Sequence, residues 1–117
     1  MASKHVLRFN ATNKNSRLSF DFLMSGEKKI ETRAATVRYK DIKKGDVLVF
    51  VCGGRKFEKK IKNIKLFGGI GQMLKVYKVK DIMPNLNSLA DLEKAYYSFP
   101  GYKEKIKKFG LIAVVVK

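Results

Sequence analysis

A chain of 117 residues has the size of one domain, and 45% hydrophobic residues with 11% aromatics supply a core that needs no staples. Its one cysteine, Cys52, excludes an internal disulfide, and its longest apolar run, Leu111 to Val116, is too short to span a bilayer. The formal net charge of +16, from 26 basic and 10 acidic residues, makes nucleic acid the first candidate partner, ahead of an acidic membrane surface or plain solubility.

The opening Met-Ala-Ser-Lys-His-Val-Leu-Arg-Phe-Asn has the pattern of neither a secretory leader nor a transit peptide, so a reducing, intracellular setting is expected. No repeat, linker or low-complexity segment divides the chain, and residues 1–117 read as a single domain. His5 to Phe9 reads as a strand, followed by a polar loop from Ala11 to Asn15. Ser16 to Ser25 reads as a helix with Leu18, Phe22 and Leu23 on it, Asn15 or Ser16 as its cap and Gly26 as its stop. Lys28 to Arg33 has the length of a strand, and the polar stretch from Ala34 to Lys44 reads as a loop. Gly45-Asp46 turns into Val47 to Val51, apolar on both faces and therefore placed inside a barrel or sandwich.

Cys52-Gly53-Gly54-Arg55 has hairpin-turn chemistry and leads into a long basic strand, Phe57 to Leu66. Phe57 and Ile61 share one face of that strand while Ile64 and Leu66 fall on the other, a phase change that predicts a bulge. Gly68-Gly69-Ile70-Gly71 reads as a loop and Gln72 to Tyr77 as a short helix. Ser88-Leu89-Ala90-Asp91 has the capping-box pattern, with Leu89, Leu92, Tyr96 and Phe99 as the buried side of the helix it starts. Pro100-Gly101 stops that helix, Tyr102 to Lys108 forms another, and Leu111 to Val116 closes the domain as a fully buried central strand. Strands at both ends with helices between them make an α+β fold.

Three blocks carry a resemblance to a known family. Gly26-Glu27-Lys28-Lys29-Ile30-Glu31-Thr32-Arg33 fits G-x-K-x-x-E-x-R. Ile42-Lys43-Lys44-Gly45-Asp46-Val47-Leu48-Val49-Phe50 fits a hydrophobic-x-x-G-D-hydrophobic-x-hydrophobic-F pattern. Tyr96-Tyr97-Ser98-Phe99, then Phe109-Gly110-Leu111-Ile112-Ala113-Val114, fits a closing helix and final strand. In this order, from Leu7 to Val116, they resemble the ASCH family of the PUA-like superfamily. The resemblance implies a small closed β-barrel with flanking helices and a cleft beside the G-x-K-x-x-E-x-R segment. It implies a role with RNA or RNA-derived nucleosides. Some members of the family deacetylate N4-acetylcytidine, and a ribonuclease activity has been attributed to at least one.

Within that frame Lys28 is the first candidate site residue. It follows the helix-ending glycine and can enter the cleft, where partial desolvation would lower its pKa and make it a base or nucleophile. Glu31 and Arg33, two apart on a strand, share a face, either as an ion pair on the wall or as a polar floor for a base. The amidohydrolase branch uses a threonine where this chain has Glu31; Thr32 is adjacent and is expected to face the other way. That branch also uses a downstream glutamate, and the matching stretch from Lys78 to Ile82 offers only Asp81, either a general acid/base partner for Lys28 or an ordinary loop residue.

Arg55, Lys56, Lys59, Lys60, Lys62 and Lys65 form a candidate phosphate-contact stripe on one hairpin, which Lys103 and Lys107 could extend. A lone His5 and an unpartnered Cys52 rule out the usual zinc patterns, and no metal or cofactor is called for. The first expectation is thus a monomeric RNA- or single-strand-binding domain with a base- or nucleoside-accepting cleft. An amidohydrolase or ribonuclease is the alternative, and a protein-interaction module of an RNA machine the third reading.

Overall fold

Local signals start and stop the elements of the computed structural model, which describes residues 2–117. The first strand, β1 (Lys4–Phe9), leads to helix α1 (Lys14–Ser25). Asn13, not Asn15 or Ser16, caps that helix: its side chain accepts the Ser16 N–H at 3.0 Å. At the other end Gly26 takes a left-handed φ of 89°, and the N–H groups of Gly26 and Lys28 both reach back to Phe22 O. Those bonds, with Lys29 N–H on Asp81 O, delay the next strand, β2, to Ile30–Ala34.

Strand β3 (Val47–Cys52) turns through Gly53-Gly54 into β4 (Arg55–Phe67), and the last strand is β5 (Leu111–Val116). The strands form one five-stranded mixed sheet in the order β1-β3-β4-β5-β2. Only β1 and β3 run parallel; the other neighbours are antiparallel. The first half of β4 pairs with β3 and the second half with β5. Between them the register slips from Ile61↔Val116 to Asn63↔Val115, the bulge that the phase change predicts. Among the described residues no ladder joins the edge strands β1 and β2, so the sheet is bent rather than closed. An Arg33 Nη2–H bond to Arg8 O, 3.3 Å, spans the gap.

Both faces of β5 are covered. Ile112, Val114 and Val116 pack with Phe20, Leu23, Leu48 and Phe50 under α1. Leu111 and Ala113 pack with Met73, Ile82, Leu92 and Ile106 beneath the remaining helices: α2 (Ile70–Met73), α3 (Val79–Ile82), α4 (Leu89–Tyr97) and α5 (Tyr102–Phe109). Helix α2 begins before Gln72, and α3 occupies a stretch that reads as loop, because single turns four residues long carry no periodic signal. A 3-10 turn at Val37–Tyr39 lies in the segment read as loop. Ser88 caps α4 through the Asp91 N–H at 3.1 Å, but Leu89 is 41% exposed and does not join the core. Among the described residues no helix is long and apolar enough to cross a membrane.

Candidate functional site

Strand β2 is an edge strand, and its free edge looks into a cavity of about 170 Å³ between α1, α4 and the start of α5. Antiparallel pairing with β5 turns alternate backbone groups outward. Two of these meet side chains: Thr32 N–H bonds Glu31 Oε1 at 3.0 Å and Ala34 N–H bonds the Tyr102 hydroxyl at 2.9 Å.

Lys28, Glu31 and Arg33 meet on the cavity floor. Lys28 is 2% exposed and Glu31 4%. The Lys28 ammonium donates to Ile82 O and lies 3.6 Å from Glu31 Oε1. Arg33 Nε donates to Glu31 Oε2 at 3.1 Å, and its guanidinium stacks 4.7 Å from the centre of the Phe9 ring. Two donors, the Thr32 N–H and Arg33 Nε, thus hydrogen-bond the Glu31 carboxylate and the Lys28 ammonium pairs with it by charge, against about four acceptor positions.

The two cations respond to burial differently. Desolvation pulls Lys28 below the ordinary lysine value; Glu31 opposes the shift and Arg33 adds to it. Desolvation also works against charge on Arg33, but Glu31, Tyr39 and Tyr102 together outweigh it and hold the guanidinium above its ordinary value. Burial raises Tyr96 and Tyr102 as well, keeping both hydroxyls protonated and neutral. With its partners charged, the floor carries one net positive charge.

Thr32 does not turn away from the site as strand alternation predicts. The cavity wraps around the strand edge, so both faces of β2 reach it, and the Thr32 hydroxyl bonds the Tyr96 hydroxyl. The walls are Phe9, Tyr96, Phe99 and Tyr102, with the Tyr96 and Tyr102 rings 6.3 Å apart and nearly parallel. Ser16 and Ser19 of α1 line the opposite side, and Asn15 Nδ2 reaches Ser98 Oγ across the rim at 3.3 Å. Sequence reading places Tyr96 on the buried side of its helix, leaves Tyr102 between a stacking face and a structural role, offers Asn15 or Ser16 as the cap of α1, and gives Ser19 and Ser98 no role at a site. The one signal it holds is that small polar residues stand beside the buried stripe of Phe20 and Leu23.

The structure does not bring Asp81 to Lys28. Asp81 lies on α3 outside the cavity lining, and that segment offers backbone instead: Asp81 O to Lys29 N–H and Ile82 O to Lys28. The basic hairpin is separate too, since no residue of β4 lines the cavity. Lys56, Lys60, Lys62 and Lys65 are exposed, and Lys59 is half-buried. Arg55 is tied to α1 by Asp21, at 2.7 Å, and by the Phe20 ring. Lys103 and Lys107 line another concavity together with Gly68, Gly69 and the start of α2. Among the described residues no group of three or more His, Cys, Asp or Glu is arranged to hold a metal ion.

No protein-family model matches the chain, and no curated protein does. Its fold recurs in solved structures. The crystal structure of the hypothetical protein PH0355 superposes with a TM-score of 0.75, covering 95% of this chain and 98% of that one at 25% identity. The solution NMR structure of protein PF0455 from Pyrococcus furiosus superposes with a TM-score of 0.67, covering 97% and 96% at 24% identity. The chain is therefore similar to both over nearly their whole length, and what they share with it is the α+β architecture.

Proposed function

We propose that this chain is a nucleic-acid-binding domain of the ASCH type, with RNA preferred and one base or nucleoside accepted in the β2 cavity. One observation carries the proposal: an aromatic-walled cavity with a buried Lys28–Glu31–Arg33 floor, in a chain of formal charge +16. On this reading the bent sheet corresponds to the PUA-like barrel, and the Arg33–Arg8 bond bridges its open seam. The domain works as a monomer inside the cell.

Size and chemistry support a single ring. An apolar cavity of about 150 Å³ holds one benzene, so about 170 Å³ suits one six-membered ring better than a purine. A pyrimidine fits between the aromatic walls, its carbonyl oxygens accepting from Lys28 or Arg33. An exocyclic amine donates to a free acceptor position of Glu31. The test is to titrate the protein with cytidine, N4-acetylcytidine, adenosine and short RNAs while following products. Pyrimidine nucleosides should bind more tightly than adenosine. Equal affinity for adenosine, or no nucleoside binding at all, would sink the base pocket.

A second reading has its own support. A lysine with a lowered pKa and a threonine hydroxyl lie at the same cavity, a pairing that suits hydrolysis of an N4-acetyl amide to cytidine and acetate. Steady acetate release by the wild type, lost in Lys28→Met, would favour this enzyme over a binding module. A ribonuclease would instead shorten the RNA in the same incubation.

A further inference from the structure

A second concavity lies where β4 bulges, away from the β2 cavity and sharing no residue with it. Lys44, Lys60, Lys62 and Lys117 line it together with Gly45, Ile61 and Asn63. Three backbone bonds tie its parts: Gly45 N–H to Ile61 O at 3.0 Å, Ile61 N–H to Asp46 O at 2.8 Å and Lys117 N–H to Lys60 O at 3.2 Å. The turn is made by Gly45, whose φ of 91° suits glycine. The bulge leaves Lys62 without a partner in the ladder.

Four lysines thus line one cleft, and among the described residues no Asp or Glu does. The adjacent acid, Asp46, is already held by His5 at 2.7 Å and by the N–H groups of Ser3 and Lys43, both at 3.1 Å. None of the four lysines is in an ion pair among the described residues. Like charges held around a concavity repel one another and focus a positive field, which an anion relieves. The cleft is roomy, about 630 Å³, and has no aromatic lining, so it suits an extended chain of phosphates rather than a base.

We propose that this bulge cleft seats the phosphodiester backbone of a nucleic-acid strand, independently of sequence. The proposal rests on the nucleic-acid reading above but assigns the backbone to different residues from the base.

Amide NMR separates the two. Hexauridylate should shift the amides of Gly45, Lys62, Asn63 and Lys117, while the amides of Thr32 and Arg33 report on the base cavity. A triple variant, Lys44→Gln, Lys62→Gln and Lys117→Gln, should weaken binding at least tenfold at low salt. It should also flatten the slope of log K against log salt by about 2, at about 0.7 for each lost phosphate contact. A control of equal charge change on exposed residues, Lys75→Gln, Lys78→Gln and Lys105→Gln, should keep the slope. Equal losses in the two triples would overturn the cleft, reducing it to net charge. Silent cleft amides with moving cavity amides would overturn it too, while leaving the base pocket standing. Moving cleft amides with a silent cavity would support the cleft and remove the base pocket. Shifts with inorganic tripolyphosphate but not with hexauridylate would overturn nucleic acid as the ligand.

Discussion

An ammonium taken out of water holds its proton less tightly, and Lys28 shows what that does to stability. In the unfolded chain it titrates near the ordinary 10.5; in the native state burial puts it lower. Between those two values the unfolded state binds more protons, so stability rises with pH across the window, while below the native value the cost is constant. Burial of Tyr96 and Tyr102 contributes the opposite trend near their own titration, so the useful quantity is the difference between wild type and Lys28→Met. Urea midpoints from neutral pH to about pH 10 should rise in the wild type relative to Lys28→Met; parallel curves would mean Lys28 stays solvated. Glu31→Gln leaves Lys28 and Arg33 without their carboxylate and should cost about 3–5 kcal/mol, and adding Lys28→Met should recover much of that loss. Full additivity in that cycle would show that the two side chains do not interact. Lys28→Arg keeps the charge but puts a bulkier planar guanidinium at a buried position whose compact ammonium reaches both Ile82 O and Glu31, and the misfit should cost about 1–3 kcal/mol in a thermal melt. Two-residue spacing was enough to read Glu31 and Arg33 on one face. It could not show Thr32 at the cavity, because that depends on β2 having a free edge, and edges are set by distant pairing.

Gly110 joins α5 to β5 with φ 76° and ψ −163°, a region that is essentially glycine's own. A Cβ there would meet Phe67 O at 2.4 Å, so backbone must move to admit it. Gly110→Ala should therefore cost more than about 2 kcal/mol, while Gly54→Ala, with open space around it and no positive φ, should melt close to wild type. Similar melting of both variants would mean that the backbone at the α5–β5 junction yields to a Cβ at little cost. Val114→Asp buries a carboxylate in the core on β5 and should unfold the domain or nearly so, checked by loss of a cooperative melt. β5 was legible because six apolar residues in a row between a glycine and a lysine suit a strand covered on both faces. The start of α1 was less so: Ala11 to Ser16 offers several capping residues, and tertiary packing chooses among them. Closure was not legible at all, because whether β1 meets β2 depends on the bend in β4 rather than on either edge sequence.

Across the whole molecule, 26 basic residues against 10 acidic ones create a field that should make RNA binding salt-dependent. A slope of −2 or steeper for a short single strand would correspond to about three phosphates neutralised, and binding indifferent to salt would remove the electrostatic basis of the reading. Replacing Lys59, Lys60 and Lys62 with glutamine tests the hairpin as a whole, with Lys59 contributing least because it is half-buried. The pairing order of the sheet also decides when the molecule becomes competent. The β3–β4 hairpin can close as soon as Gly53-Gly54 and Phe57 have been synthesised. The strand carrying Glu31 has one neighbour only, and that neighbour, β5, is the last described element to leave the ribosome. Until Val114 and Ala113 dock against Glu31 and Thr32, β2 has no ladder to hold it. A nascent chain thus reaches most of its length with Lys28 still in water and the cavity floor unformed, so whatever this cavity binds, it binds only after the last strand has docked.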